Sequence, residues 1–308
     1  MSGVINTEKK KKIHLFDNFI GIPVAAFLLL TVGGSLSILL LNPAVKFLLD
    51  VVAPGFTATD VWITVDHYMG FLGIWILTLI FLAVTARNRP ILKALTTKTR
   101  GNNLKMFALG LGVGLGMNLL CAFVAMANGD IRLTFHSFRP VSFLVIFAAV
   151  FVQSSAEELL CRVFVYQRMM RRYGKPILAA LVNSVFFALN HIFNDGISAL
   201  AMLNIFAYGL LFSAMVIYLD SPWATMTAHT AWNFCQNILL GLPNSGNVLP
   251  YSVFKLETAA ATDSFAYSVA FGLEGTITAC VVLITVTALI VWWGARRKTV
   301  PTDIWETA

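Results

Sequence analysis

Charge is scarce in this chain. Of its 308 residues only 12% are Asp, Glu, Lys or Arg, roughly half the share found in a soluble domain, which excludes an ordinary water-soluble protein. Cysteine is scarce as well: Cys121, Cys161, Cys235 and Cys280 stand singly with no CxxC spacing. That excludes a zinc knuckle and a disulfide framework and leaves them as small apolar packing residues. Gly (21) and Pro (10) are not in excess, which excludes collagen and low-complexity disorder. No polar stretch is long enough to fold as a separate soluble domain.

What the chain has instead is apolar residues, 58% of the total with 24 Phe, and a mean hydropathy of +0.77. They come in long unbroken runs, and a hydrocarbon crossing needs about 20 such residues. The expected fold is therefore all-α: a polytopic membrane protein with about eight transmembrane helices. The runs are 18–41, 68–86, 104–126, 140–165, 176–193, 198–219, 223–241 and 268–294. The first is too long for a removed signal peptide and reads as a retained helix. The domain reading is a basic cytoplasmic segment 1–17, one integral-membrane domain 18–294 and a cytoplasmic tail 295–308.

The net charge of +7 is explained by topology. Short cytoplasmic loops are enriched in Lys and Arg, and with both termini inside, 18 of the 22 basic residues fall on the cytoplasmic side, among them Lys9 to Lys12, Arg87 to Lys105, Arg162 to Lys175 and Arg296 to Lys298. The bilayer, not nucleic acid, is the expected partner of this charge.

Ionisable residues inside spans are costly and mark functional sites by default. They are Glu157, Glu158 and Arg162 in the fourth span, His191 in the fifth, His229 in the seventh and Glu274 in the eighth. Glu158 and Arg162, at i and i+4, share a helix face and can form an ion pair. Glu157 lies about 100° away and is free to face something else, either as a general base whose burial favours the neutral form or as a solvated charge at a helix end. Phe187 with His191, and His229 with Asn233, repeat the i, i+4 spacing. Each pair taken alone is equally well a helix-packing hydrogen bonder. Together the three helices supply a base, a second water-polarising group and an oxyanion clamp, the equipment for amide hydrolysis without a covalent nucleophile. No serine sits in a G-x-S-x-G turn.

In order along the chain, Glu157-Glu158-Leu-Leu-Cys-Arg162 matches EExxxR, Phe187 to His191 matches FxxxH and His229 to Asn233 matches HxxxN. In these motifs the sequence resembles the CPBP (Abi) family of intramembrane proteases, which includes the CAAX prenyl endopeptidases of the Ras-converting type. The resemblance covers about residues 140–241, and Phe206 and Gly209 resemble the family's F-x-x-G feature. It implies that Glu157 activates water with His191 as its partner, that His229 and Asn233 stabilise the oxyanion, and that Glu158, Arg162 and Phe187 support the site. It also implies a membrane-embedded or lipidated peptide or protein substrate. Family usage calls these enzymes metalloproteases; a glutamate-activated water needs no cofactor, and a zinc ion would take Glu157, His191 and His229.

At 1.5 Å per residue Glu157 lies about 16 Å from Arg168, His229 about 13 Å from Asp220 and His191 about 24 Å from Lys175. The expected point of cleavage is near the cytoplasmic side of a bacterial plasma membrane, with the fifth helix tilted or entering below the surface. Two other functions fit the same residues: a non-proteolytic scaffold or bacteriocin self-immunity protein, and a transporter with Glu157 and Glu274 as proton carriers. Glu274, between Gly272 and Gly275, is expected to line a cavity or pair with Arg132 or Arg139, and Tyr218, Trp292 and Trp293 to anchor the interface.

Overall fold

A computed structural model of the protein describes residues 17–305. Lys9 to Lys12 and the rest of the basic segment up to residue 16, and the tail end 306–308, lie outside the described residues.

Side-chain caps and proline at the first helical position set where the apolar runs begin to wind. The first run is one bent helix of 32 residues: α1 (Gly21–Leu36) passes through a π turn (Ser37–Leu41) into α2 (Asn42–Val52). The second pass starts earlier than its hydropathy suggests, because Thr59 accepts a hydrogen bond from the Trp62 amide and starts α3 (Asp60–Met69), which leads into α4 (Leu72–Val84). Asn103 caps α5 (Leu104–Ala127) in the same way. After strand β1 (Leu133–Phe135), Pro140 opens α6 (Pro140–Glu158), which continues through a π segment (Leu159–Val165) into α7 (Tyr166–Tyr173). Gly174, in the left-handed region at φ +62, stops that helix.

Then come α8 (Pro176–Leu189), α9 (Ala199–Leu219) capped by Ser198, and α10 (Pro222–Asn233) capped by Ser221, which runs on through a π segment (Phe234–Leu239). Strand β2 (Phe254–Leu256) pairs antiparallel with β1, and α11 (Ile277–Arg297), capped by Thr276, closes the bundle. Six of these passes are long and apolar enough to cross a membrane; α8, with 14 residues, is a shorter apolar helix.

The passes alternate between two ends. One end gathers the start and finish of the described chain: Asp17 pairs with Arg168 and Arg87, and Asp220 accepts from the Arg100 amide and from the Thr302 amide and hydroxyl. The expected aromatic anchors lie toward this end, where Arg296 and Arg297 stack over Trp292 and Trp293 and Tyr218 packs on Gly294. The ribbon β1–β2 and the long segment 241–276 cover the other end.

Two placements correct the sequence reading. Arg162 is not a cytoplasmic charge, being fully buried in the core beside Glu158. Glu274 is not in the last span: Thr276 caps α11 four residues after a turn at Gly272 (φ +69), so the apolar stretch 265–275 is a loop in which Tyr267, Phe271 and Leu273 are core residues while Phe265 and Val269 are exposed.

With no hydrophobic drive between helices in lipid, close contact depends on small residues. Gly110 and Gly114 of α5 lie against the backbone of α10 at Ala224 and Ala228, whereas Gly112 and Gly116 face open space. Gly114→Leu is therefore expected to lower stability by about 1–3 kcal/mol, the usual cost of overpacking, and Gly112→Leu to change it little. Thermal unfolding of the two variants in detergent checks the difference.

Candidate active site

Glu157 and Glu158 end α6 on different faces. Glu158 is fully buried, and its Oε1 receives both Arg162 Nη1 and His229 Nδ1 at 3.0 Å. The Arg162 guanidinium also reaches the Gly209 carbonyl (3.4 Å) and lies over the rings of Phe187 (4.5 Å) and Phe212 (5.2 Å). Gly209 is required there because a Cβ would stand 2.7 Å from the Ser184 backbone of α8. One ion pair thus touches α8, α9 and α10 from the end of α6. Arg162 sits in the π segment, where Tyr166 N–H bonds to the Cys161 carbonyl five residues back; such turns recur at functional sites.

Glu157 faces a cavity of about 780 Å³ that His191, His229, Asn233 and Glu274 also line. Its Oε1 accepts from Gln153 Nε2 at 2.6 Å; its Oε2, 3.9 Å from His229 Nε2, is buried and accepts no hydrogen bond from the described residues. The His229 ring stacks on Phe212 with 5.4 Å between centroids. His229 therefore has a carboxylate at each ring nitrogen.

The His191 ring lies 4.8 Å from that of Phe187, as the spacing implied, but its backbone is not helical. Helix α8 ends at Leu189, and His191 stands in the turn beyond, its N–H on the Ala188 carbonyl and its Nδ1 2.8 Å from the Phe187 carbonyl. A carbonyl only accepts, so Nδ1 carries the proton and Nε2 keeps its lone pair. The fifth helix need not run 24 Å to bring this ring to the site, because the last part of the approach is made by a turn.

Asn233 ends α10. Its Nδ2 donates to Gln153 Oε1 (3.0 Å) and, at 3.5 Å, to Ser154 Oγ, and its Oδ1 accepts from Asn244 Nδ2 (3.3 Å). Asn244 also donates to Glu274 (3.1 Å). Glu274 further accepts from Trp232 Nε1, the Ser245 amide (2.7 Å) and the Ser245 hydroxyl. Arg132 and Arg139 are not its partners. Burial pushes its carboxyl above the ordinary carboxylate range, and the Ser245 hydrogen bonds oppose that shift.

Gln153, Asn244 and Ser245 were not singled out in the sequence. Gln153 carried a signal: it is one turn before Glu157, in a Gln-Ser-Ser run inside an apolar helix. Asn244 and Ser245 carried none, since they lie in a loop distant in sequence from all three motifs.

The zinc set Glu157, His191 and His229 is not drawn together. Among the described residues no group of three His, Cys, Asp or Glu side chains is placed to hold a metal ion.

Removing one partner of a buried pair strands the other charge. Arg162→Met and Glu158→Gln are each expected to cost about 3–5 kcal/mol, and the double variant less than the sum of the two. Thermal unfolding of the three variants measures this coupling; strict additivity would deny that the pair organises the site.

No curated protein and no solved structure matches the chain. Residues 139–235 match the family model described as Type II CAAX prenyl endopeptidase Rce1-like. The match begins beside Pro140 at the start of α6 and ends just after Asn233, so it contains Glu157, Glu158, Arg162, Phe187, His191, His229 and Asn233. Over this segment, about a third of the chain, the sequence is similar to that CAAX protease family.

Proposed function

We propose that the protein is an intramembrane endopeptidase that hydrolyses a peptide bond of a membrane-associated or lipidated polypeptide. In this reading it crosses the bilayer eight times, with both termini on the cytoplasmic side. The observation that carries it is the state of Glu157: one carboxylate oxygen held by Gln153, the other free of hydrogen bonds, in a cavity shared with two histidines and an asparagine.

A water at Glu157 Oε2 gives up a proton to the carboxylate as its oxygen attacks the scissile carbonyl carbon. The His191 Nε2 lone pair is a second acceptor for that water. As the tetrahedral intermediate forms, negative charge collects on the former carbonyl oxygen. With His229 Nδ1 donating to Glu158, an Nε2–H donor on the same ring means an imidazolium, flanked by Glu157 and Glu158. Asn233 supplies a second donor by exchanging its long contact with Ser154 for the oxyanion. Collapse breaks the C–N bond, and the proton on Glu157 passes to the leaving amine. The products are a carboxylic acid, which releases its proton to water to become a carboxylate, and an amine, and the site returns to its starting state.

Glu157→Gln keeps the size of the side chain and removes the proton acceptor. Comparison of membrane proteomes from cells carrying the wild-type and Glu157→Gln proteins is expected to show an uncleaved species that accumulates only with the variant. Identical proteomes, with both proteins folded at equal abundance, would contradict the hydrolase reading.

A further inference from the structure

The charge of the described residues is unequally shared between the ends of the bundle. The end that holds Asp17 and Thr302, near the limits of the described chain, carries six basic residues in 87–105, four in 168–175 and three in 296–298, against Asp17, Asp220 and Asp303. The opposite end carries Lys46, Arg132, Arg139 and Lys255 against seven carboxylates, Asp50, Asp60, Asp66, Asp130, Asp195, Glu257 and Asp263. By the positive-inside bias the first end is cytoplasmic.

The cavity belongs to the other end. None of its lining comes from 84–105, 166–176, 219–223 or 291–305, the segments that build the basic end. Its deepest parts are Cys161 and Phe212, in the middle of their helices, and its rim is formed by Lys46, His67, Asn194, Ser245 and Asn247. Asn194 Nδ2 donates to the Ser245 carbonyl at 3.2 Å, fixing the turn after α8 to the 241–247 loop at that rim. His67 and Asn247 are exposed.

The basic end is shut by contrast. Asn102 Nδ2 donates to the carbonyls of Ala94 and Thr96, Trp223 Nε1 to that of Leu95, and Asp220 holds Thr302 of the tail. A site near the cytoplasmic side, the sequence-based expectation, is at odds with this arrangement. The distances along the helices from the basic loops did not show which end the cavity opens toward.

We infer that the cavity is entered from the non-cytoplasmic face, and that the bond cut there lies in the non-cytoplasmic half of a membrane-anchored polypeptide or in the segment that emerges on that face. The direction of access stands on charge and cavity position alone; the cleaved bond rests on the hydrolase reading above. Beside Lys46 and His67 the rim carries the amide and hydroxyl groups of Asn194, Ser245 and Asn247, which suit the unpaired backbone of an extended segment.

Thiol labelling in intact bacterial cells decides the direction. In a Cys161→Ala, Cys280→Ser background, where the remaining cysteines are buried and outside the cavity lining, single cysteines replace His67 in the cavity, Val248 beside the rim and Lys98 at the basic end. Val248 is 65% exposed, so its replacement does not threaten folding. A membrane-impermeant maleimide is expected to label His67→Cys and Val248→Cys in intact cells, and Lys98→Cys only after permeabilisation. The reverse pattern overturns the inference. The termini of species that differ between wild-type and Glu157→Gln membranes supply the second readout: cuts on the non-cytoplasmic side of a span support it, and cuts in cytoplasmic segments overturn its substrate half. If no species differ, the hydrolase reading fails while the labelling still decides the direction of access.

Discussion

The ion pair between Glu158 and Arg162, with neither side chain exposed, is the constraint on which the site depends. Burying two charges costs several kcal/mol per ion unless good geometry and further hydrogen bonds offset it. Here the offset is supplied by separate elements: the Gly209 carbonyl from α9, the Phe187 ring from α8 and His229 from α10. Each element that approaches the pair carries another polar group with it. Phe187 brings His191 one turn beyond, His229 brings Asn233 one turn along, and Glu158 places Glu157 on the neighbouring face. The convergence of three motifs follows from satisfying one buried pair.

Three carboxylates in this small region have distinct surroundings. Glu158, fully buried, takes a guanidinium and an imidazole on Oε1 and has no hydrogen-bond partner at Oε2 among the described residues. Glu274 takes four donors from Trp232, Asn244 and Ser245 and so fastens the 241–247 loop to α10. Glu157 takes one donor, from Gln153, and keeps an oxygen unengaged. A carboxylate locked in a buried ion pair or held by several donors maintains structure, and one that faces the cavity without a guanidinium partner can accept a proton. The histidines differ in the same way: His191 is fixed to a carbonyl, which leaves a lone pair, and His229 stands between two carboxylates.

The i, i+4 pair of Glu158 and Arg162 was legible because a helix fixes that spacing whatever surrounds it. So was the isolation of Glu157 on another face. The contact of His191 with Phe187 was legible too, but its non-helical backbone was not: an apolar run shows where a chain is buried, and only the turn at Asn190 and His191 shows that the helix has stopped. The stretch around Glu274 misled for the same reason, since Phe271 and Leu273 are as apolar in a buried loop as in a span. The π segments after Glu158 and Asn233 leave no periodic trace over six or seven residues. Gln153 and Asn244 join the site through long-range hydrogen bonds that no local pattern encodes. The spans were found more readily than the cavity's direction, because charge bias orients helices and says nothing of where the space between them opens.

In the proposed reaction Glu157 is the base that activates water. This role is tested most directly by the single-turnover cleavage rate of the purified protein in lipid vesicles, on a peptide that spans the identified cut site, for wild type and Glu157→Gln. Loss of a general base predicts a fall of roughly 10²–10⁴-fold in the chemical step with substrate binding retained. Equal rates in a folded variant would contradict the account.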